Sequence, residues 1–201
     1  MGLFAYQQAA LDRVKGKRLC AFYHDMGLGK TFTGAEKLMS DKCWHLALVV
    51  CQKSKVADWV GHFANYYDID VVNLTKPHAM EGFERRIGDS HARDAVGVIN
   101  YDLLWRRPEL QALKCFAVMF DESSLLQNKS SKRTKAAMKL AARANELILL
   151  SGTPVDGKYE RLWTQLNMLG WRIDEKLFWR QYVESETTMR EGFPITKVTG
   201  Y

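Results

Sequence analysis

Short apolar runs alternate with amphipathic helical patterns along most of the chain. The runs are rich in aliphatic and β-branched residues and cover residues 19–23, 45–51, 69–74, 95–99, 115–120 and 146–150. Apolar residues recur at helical spacing over residues 33–40, 55–67, 80–87, 102–113 and 131–144. Strands that alternate with helices are typical of a parallel sheet with helices on both faces. The pattern therefore predicts an α/β fold with a mainly parallel sheet.

The alternation stops after Pro154. Residues 159–169 and 175–185 have helical patterns, and residues 187–201 have no clear period. The first of these patterns places Leu162, Trp163, Leu166 and Leu169 at a spacing that is typical of core packing. We therefore expect a short helical extension after the sheet.

A glycine-rich segment lies between the first apolar run and the first helical pattern. It reads His24-Asp25-Met26-Gly27-Leu28-Gly29-Lys30-Thr31. A strand, a turn ending in Gly-Lys-Thr and a helix bind phosphates through backbone N–H groups at the helix N-terminus. Lys30 then reaches the β and γ phosphates, and the Thr31 hydroxyl binds Mg²⁺. The usual pattern has glycine at the position of His24, so a chance match in a surface loop stays open from this segment alone.

Two further polar clusters follow apolar runs, and the carboxyl ends of parallel strands form the functional edge of such a sheet. Asp121 and Glu122 follow residues 115–120, where Asp121 can hold Mg²⁺ and Glu122 can act as a general base on water. The alternative is an ordinary surface pair. Ser151, Gly152 and Thr153 follow residues 146–150 and could sense the γ-phosphate, although alone they also fit a plain turn.

Composition limits the function classes. The chain has 201 residues, of which 47% are hydrophobic and 26% are charged, as in a globular domain with one core. No apolar run reaches the roughly 20 residues of a membrane span. The net charge is +6, and a basic segment without acidic residues contains Lys129, Lys132, Arg133, Lys135, Lys139 and Arg143. This segment fits either a polyanion-binding surface or a solvated helix face.

The four cysteines, Cys20, Cys43, Cys51 and Cys115, lack metal-ligand spacing. We interpret them as reduced core residues, with disulfides or zinc as the alternative.

The motifs, taken in order, resemble the first RecA-like lobe of the Swi/Snf-type DNA-dependent ATPases of helicase superfamily two. The compact spacing looks most like phage-encoded members. The resemblance implies a RecA-like ATP-binding lobe over residues 1–170 and a helical extension with a truncated tail over residues 171–201. It also implies ATP and Mg²⁺ as cofactors, and double-stranded DNA as a partner. A membrane is not expected, and the location is cytoplasmic, in the host cell for a phage protein.

The resemblance also assigns roles residue by residue. In the family, a glutamine in a motif similar to residues 4–7 reads the adenine. The expected ATP-binding residues are therefore Gln7, Met26, Gly27, Leu28, Gly29, Lys30 and Thr31. Residues 49–54 with Trp59, and residues 99–101, resemble the motifs that face the nucleic-acid backbone. The expected DNA-binding residues are Lys53, Ser54, Asn100, Tyr101, Lys129, Lys132 and Arg133.

The second and third family motifs correspond to residues 121–124 and 150–154. The second commonly reads Asp-Glu-Ala-His, whereas here it ends in Ser123 and Ser124. It keeps both carboxylates, so the resemblance assigns catalysis to Lys30, Asp121 and Glu122, and metal binding to Thr31 and Asp121. The histidine that helps to couple the nucleotide to the third motif is replaced, which puts coupling through Ser124 in question. Ser151, Gly152 and Thr153 keep the expected coupling role.

The family has two lobes, with arginines reaching the ATP from the second lobe, and residues 155–201 do not repeat the strand-rich pattern of a lobe. We therefore expect this lobe to bind Mg-ATP and to hydrolyse it slowly when alone. One alternative is a non-catalytic nucleotide- or DNA-binding module that acts with a partner chain. Another is a P-loop kinase or an unrelated nucleotide hydrolase, which fits the motif order poorly.

Overall fold

The apolar runs form a six-stranded parallel sheet in the computed structural model, which describes residues 2–40, 42–86, 92–155, 157–190 and 193–201. Its strands are β1 (Leu19–Phe22), β2 (Leu46–Cys51), β3 (Asp70–Asn73), β4 (Ala95–Asn100), β5 (Phe116–Asp121) and β6 (Glu146–Leu150). Every residue of β2 and β4 is buried, as expected for strands covered on both faces. The predicted α/β fold is confirmed.

The strand order is β1-β6-β5-β2-β4-β3. Because all pairs are parallel, the carboxyl ends of β1, β6 and β5 lie next to one another. Phe22 of β1 and Asp121 of β5 both pair with Leu150 of β6. The order therefore brings the glycine-rich segment, the residues after β6 and the Asp121–Glu122 pair together at one edge.

Helices cover both faces of the sheet. They are α1 (Ala5–Val14), α2 (Lys30–Ser40), α3 (Val56–Tyr66), α4 (Ala79–Glu84), α5 (Tyr101–Leu104), α6 (Lys132–Ala141), α7 (Trp163–Met168) and α8 (Glu175–Tyr182). One core contains Leu11, Leu38 and Phe63 from the first three helices. The other contains Met80, Leu104, Leu140 and Met168 from the helices on the opposite face.

Several helix boundaries differ from the predictions. The pattern over residues 102–113 forms α5 and a separate 3-10 helix, Pro108–Ala112, because the residue before a proline is disfavoured in the helical region. Helix α1 was not predicted, since only Gln7 and Leu11 on it are buried and it has no apolar stripe. Helix α4 ends at Glu84, and Ile87, the end of the predicted pattern, lies outside the described residues.

The helical segments predicted over residues 159–169 and 175–185 are present as a 3-10 helix (Tyr159–Leu162), α7 and α8, but α8 ends at Tyr182, before the predicted end at residue 185. Val183 is extended, and β7 (Glu184–Arg190) and β8 (Phe193–Gly200) form an antiparallel hairpin. Threonine, isoleucine and valine favour strands here, and the hydroxyls of Thr187 and Thr196 are bonded across the hairpin at 3.0 Å. Among the described residues, every helix is too short or too polar to cross a bilayer.

The interpretation of the cysteines as core residues holds for only two of them. No disulfide joins these four described cysteines; Cys20 and Cys51 are buried, while Cys43 and Cys115 are exposed. Cys115 precedes β5 with a φ of 49°, in the left-handed region. The chain turns at this residue before it enters the sheet, so its side chain lies outside the core.

Candidate functional site

The glycine-rich loop connects β1 to the N-terminus of α2. Gly27 and Gly29 have φ angles of 83° and 66°, which side-chain-bearing residues rarely adopt. Helix α2 begins at Lys30 and has no acidic residue in its first turn. The positive end of its dipole therefore faces the loop and is not offset by an acidic residue in the first turn of the helix itself, as in sites that bind phosphate.

Lys30 lies over the loop. Its Nζ donates hydrogen bonds to the carbonyl oxygens of His24 (3.0 Å) and Asp25 (3.2 Å). A Cβ atom added to Gly152 would lie 3.2 Å from Lys30 Nζ and 3.1 Å from Met26 Cγ. The turn after β6 thus contacts the loop and its lysine, and a side chain at position 152 would crowd them.

Gln7 supports the loop from α1. Its Nε2 donates to the carbonyl oxygens of Leu28 and Gly29, both at 3.3 Å, and its Oε1 accepts from the Phe4 backbone N–H at 2.9 Å. The side chain is only 3% exposed. The predicted contact with adenine stays a prediction, because the amide donors are already bonded to the loop.

Asp121 ends β5 and is held from two sides. Its Oδ2 accepts a hydrogen bond from the Trp59 indole at 2.8 Å, and its backbone oxygen accepts one from the Tyr101 hydroxyl at 2.8 Å. Burial raises the pKa of the Asp121 carboxyl above its ordinary value, and the Trp59 indole and Glu122 backbone N–H offset part of that shift. A carboxylate that needs such support at neutral pH is typical of a functional position.

Glu122 has a left-handed backbone, with φ 54° and ψ 56°. This conformation is uncommon for glutamate and raises the free energy of the folded state by about 1–3 kcal/mol. The turn leads from β5 into a 3-10 helix, Ser123–Leu126. Strained residues cluster at functional sites, which agrees with the predicted role of Glu122.

The donor atoms at this edge fit Mg²⁺, which prefers oxygen ligands. Thr31, in the first turn of α2, offers a hydroxyl, and Asp121, at the end of β5, offers a carboxylate. Both residues are partly accessible to solvent. These two side chains are therefore the candidates to hold the ion together with nucleotide phosphates.

Gln165 connects three strand ends, and the sequence patterns did not indicate it. Its Oε1 accepts hydrogen bonds from the hydroxyls of Tyr23 (2.9 Å) and Ser123 (2.8 Å), and its Nε2 donates to the Pro154 carbonyl (2.9 Å). Both Gln165 and Ser123 are fully buried. A link between the second and third motifs therefore runs through Ser123 and not through Ser124. The only available signal was a glutamine within a leucine-rich helical pattern.

The third-motif residues form a tight turn after β6. Ser151 is buried, and its Oγ accepts the Thr153 backbone N–H at 3.3 Å. Gly152 packs against the glycine-rich loop, and Thr153 is exposed. The turn therefore touches both the nucleotide loop and, through Pro154, the Gln165 link. Its coupling role stays a prediction.

The residues predicted to bind DNA fall into two groups. Lys53 and Ser54 are exposed in a 3-10 helix, Lys53–Lys55, just before α3. By contrast, Asn100 and Tyr101 are buried. The Asn100 Oδ1 accepts the Leu103 backbone N–H at 2.8 Å, and the Tyr101 hydroxyl bonds to Asp121. DNA contacts by these two residues stay a prediction, and their side chains are occupied inside the fold.

The basic segment, residues 129–143, follows β5 and the 3-10 helix Ser123–Leu126, and so begins near the edge of the sheet that carries Asp121. Lys132 lies over the ring of Trp105 at 4.5 Å, and Arg133 is 3.9 Å from Asp102. Lys129 forms an ion pair with Glu175 of α8. Lys132 and Arg133 thus remain available to an anionic partner, because the contact of Arg133 is long and that of Lys132 leaves its ammonium donors unpaired.

Comparisons with known proteins give the family context. The sequence model described as the SNF2-related domain matches residues 8–192. The chain is 31% identical over 184 residues to a SWI/SNF-related matrix-associated actin-dependent regulator of chromatin subfamily A-like protein 1 homolog from Caenorhabditis elegans. This match covers 88% of the chain and 25% of the relative. The corresponding protein from Bos taurus is 32% identical over 174 residues, covering 82% of the chain and 17% of the relative.

A solved structure shares the fold. The SWI2/SNF2 ATPase core of Sulfolobus solfataricus, in complex with double-stranded DNA, aligns with a TM-score of 0.75 and 20% identity. The alignment covers 90% of this chain and 39% of that chain. The chain thus spans a quarter or less of these two sequence relatives, and less than half of the solved core.

Proposed function

Because the chain belongs to the SNF2-related domain family, we propose that it is the ATP-binding RecA-like lobe of a DNA-dependent ATPase that moves along or remodels double-stranded DNA. The observation that carries this proposal is the meeting of three strand ends at one edge of the sheet. They bring the glycine-rich loop, Asp121 with Glu122, and residues 151–153 together. In this proposal the lobe covers residues 1–170, and residues 171–201 form a C-terminal extension of it.

The geometry of the glycine-rich loop and of the end of β5 supports the following roles at the nucleotide. Backbone N–H groups of the loop and Lys30 bind the phosphates, and Lys30 exchanges its two loop carbonyl partners for phosphate oxygens. Thr31 and Asp121 would hold Mg²⁺, which would supply positive charge to the phosphoryl oxygens. Glu122 orients and deprotonates the attacking water.

Hydrolysis needs more than this lobe in our proposal. An arginine supplied across a site contributes about 10³–10⁵ in rate where it has been measured. The chain spans only part of its relatives, so the complete ATPase includes a second lobe that supplies such residues. Turnover by this lobe alone is therefore slow. Compact motif spacing supports a phage-encoded member, which would act in the host cytoplasm.

The DNA surface in our proposal consists of Lys53, Ser54 and the start of α6. These residues are exposed or partly exposed near the edge that carries the nucleotide site. Support comes from the related fold of the Sulfolobus solfataricus ATPase core, whose structure is a complex with double-stranded DNA.

Replacing both Lys132 and Arg133 with alanine tests the DNA surface. We expect weaker binding to a short DNA duplex. The slope of log K against log salt concentration should become shallower by about 0.9 for each phosphate that the variant no longer neutralises. The measurement is fluorescence anisotropy at several salt concentrations.

The matched control replaces Lys15 and Lys17 with alanine. Both are exposed and precede β1, at the opposite edge of the sheet. This variant removes the same charge and should keep the wild-type slope. Equal decreases in affinity in the two variants would show a non-specific effect of net charge and would contradict the proposed surface.

A further inference from the structure

Trp59 lies on α3 with its ring buried and its one polar atom directed at the metal site. The side chain is 1% exposed, and its ring stacks on that of Phe63 with 5.9 Å between centroids. The indole Nε1 donates to Asp121 Oδ2 at 2.8 Å. The motif that contains Trp59 was expected to face DNA, yet this side chain faces inward.

Packing alone does not require an indole here. A phenylalanine would also bury an aromatic ring against Phe63, but unlike tryptophan it has no N–H donor for the carboxylate. The bond joins residues 62 positions apart in the sequence. It fixes one carboxylate oxygen of Asp121, and the Tyr101 hydroxyl already holds the backbone carbonyl of the same residue. The orientation of the Asp121 carboxylate is therefore determined from both sides.

We propose that Trp59 is a positioning residue for the metal, because its indole N–H holds Asp121 Oδ2 and thereby presents the other carboxylate oxygen to the Mg²⁺ that accompanies ATP. This inference rests on the proposed function. Residues that hydrogen-bond to a metal ligand orient that ligand, and their removal typically lowers metal affinity by about 10- to 100-fold.

The test is the Mg²⁺ dependence of ATP binding by this chain. Trp59→Phe removes the N–H and keeps an aromatic ring. We expect the Mg²⁺ concentration that gives half-maximal enhancement of ATP binding to rise about 10- to 100-fold. ATP affinity without Mg²⁺ should stay at the wild-type value, which a general loss of structure would not allow. Calorimetric titrations with a non-hydrolysable ATP analogue give both quantities.

Trp44→Phe is the matched control. Trp44 is also buried, at 3% exposure, and its indole also donates one hydrogen bond, to the Leu38 carbonyl at 3.2 Å. It precedes β2 and so lies at the other edge of the sheet. This variant removes a comparable hydrogen bond and a comparable ring, and it should keep the wild-type Mg²⁺ dependence.

The outcomes separate the two proposals. An unchanged Mg²⁺ dependence in Trp59→Phe, or an equal change in Trp44→Phe, would overturn the positioning role of Trp59. Neither result would contradict the proposal that the chain binds ATP. Absence of Mg-ATP binding by the wild-type chain would overturn the proposed function and this inference together.

If Trp59→Phe does not fold, a measurement on the wild-type protein still tests the positioning role of Trp59. In its ¹⁵N NMR spectrum, the indole N–H signal of Trp59 should move when Mg²⁺ is added to the nucleotide complex, while that of Trp44 should not. A Trp59 signal that does not respond would overturn the inference.

Discussion

At the residue scale, two residues of the site have features that suit the proposed chemistry but lower the stability of the folded protein. Asp121 holds a carboxylate in a partly buried position, and burial raises its pKa. Glu122 adopts a left-handed backbone. Both features raise the free energy of the folded state, and both occur at residues that the sequence assigns to chemistry. Sites of this kind commonly exchange stability for activity.

Asp121→Asn should therefore stabilise the protein. The amide keeps an oxygen for the Trp59 indole and removes the buried charge, so we expect the free energy of unfolding at neutral pH to rise by on the order of 1 kcal/mol. A raised carboxyl pKa destabilises the fold above the ordinary value of 3.8, and this effect disappears as pH falls through the raised pKa. The gain should thus shrink between neutral pH and a pH near the ordinary carboxyl value of 3.8.

Thermal and urea unfolding at both pH values provide the measurement. Asp58→Asn is the control, because the Asp58 side chain is 62% exposed and its ion pair with Lys55 lies at the surface. That variant should change stability by no more than about 0.5 kcal/mol. An Asp121→Asn protein that is less stable than wild type would show that the carboxylate supports the fold.

The residues of the phosphate loop and the two carboxylates could be predicted because their spacing and their place after apolar runs are local features. Trp59 and Gln165 could not be predicted. Each is a single polar group in an apolar helical stripe. The partner of Trp59, Asp121, lies 62 positions away, and one partner of Gln165, Tyr23, lies 142 positions away. Such pairings depend on the strand order, which periodicity does not give.

At the element scale, the geometry of the site depends on contacts between the segments that follow the strands, more than on the strands themselves. Helix α7 brings Gln165 between the segments that follow β1, β5 and β6. These bonds join the second motif, at Ser123, to the third motif, at Pro154. Two segments predicted to face DNA also meet at Asp121, one through Trp59 and the other through Tyr101.

Gln165→Leu tests the connection made by α7. Leucine fills the space but leaves the buried Ser123 hydroxyl and the partly buried Tyr23 hydroxyl without this acceptor, which should lower the free energy of unfolding by about 1–3 kcal/mol. Amide hydrogen exchange over residues 151–155 should become faster, because the bond to the Pro154 carbonyl is removed. Urea unfolding and exchange mass spectrometry measure the two effects.

Gln8→Leu makes the same substitution on α1, where Gln8 is exposed and its side-chain amide donates to the Asp12 carboxylate. It should change neither quantity appreciably. If the Gln165 variant exchanged at the wild-type rate over residues 151–155, the connection between the second and third motifs would not run through this amide.

At the scale of the whole molecule, the α/β class follows from the alternation of runs and patterns, because strands buried on both faces must be apolar throughout. The order β1-β6-β5-β2-β4-β3 could not be predicted from that alternation. The C-terminal hairpin was also missed, since most of its residues are exposed and have no apolar face to give a period.

The central claim is that this molecule binds Mg-ATP through its glycine-rich loop, and the most direct test is calorimetric titration of the wild-type chain and of Lys30→Ala with Mg-ATP. Hydrogen bonds to charged groups contribute about 1.5–3 kcal/mol, so Lys30→Ala should weaken binding by about 10- to 150-fold. Lys15→Ala, a change of the same charge at the opposite edge, should bind as wild type does. An unchanged affinity in Lys30→Ala would contradict this claim.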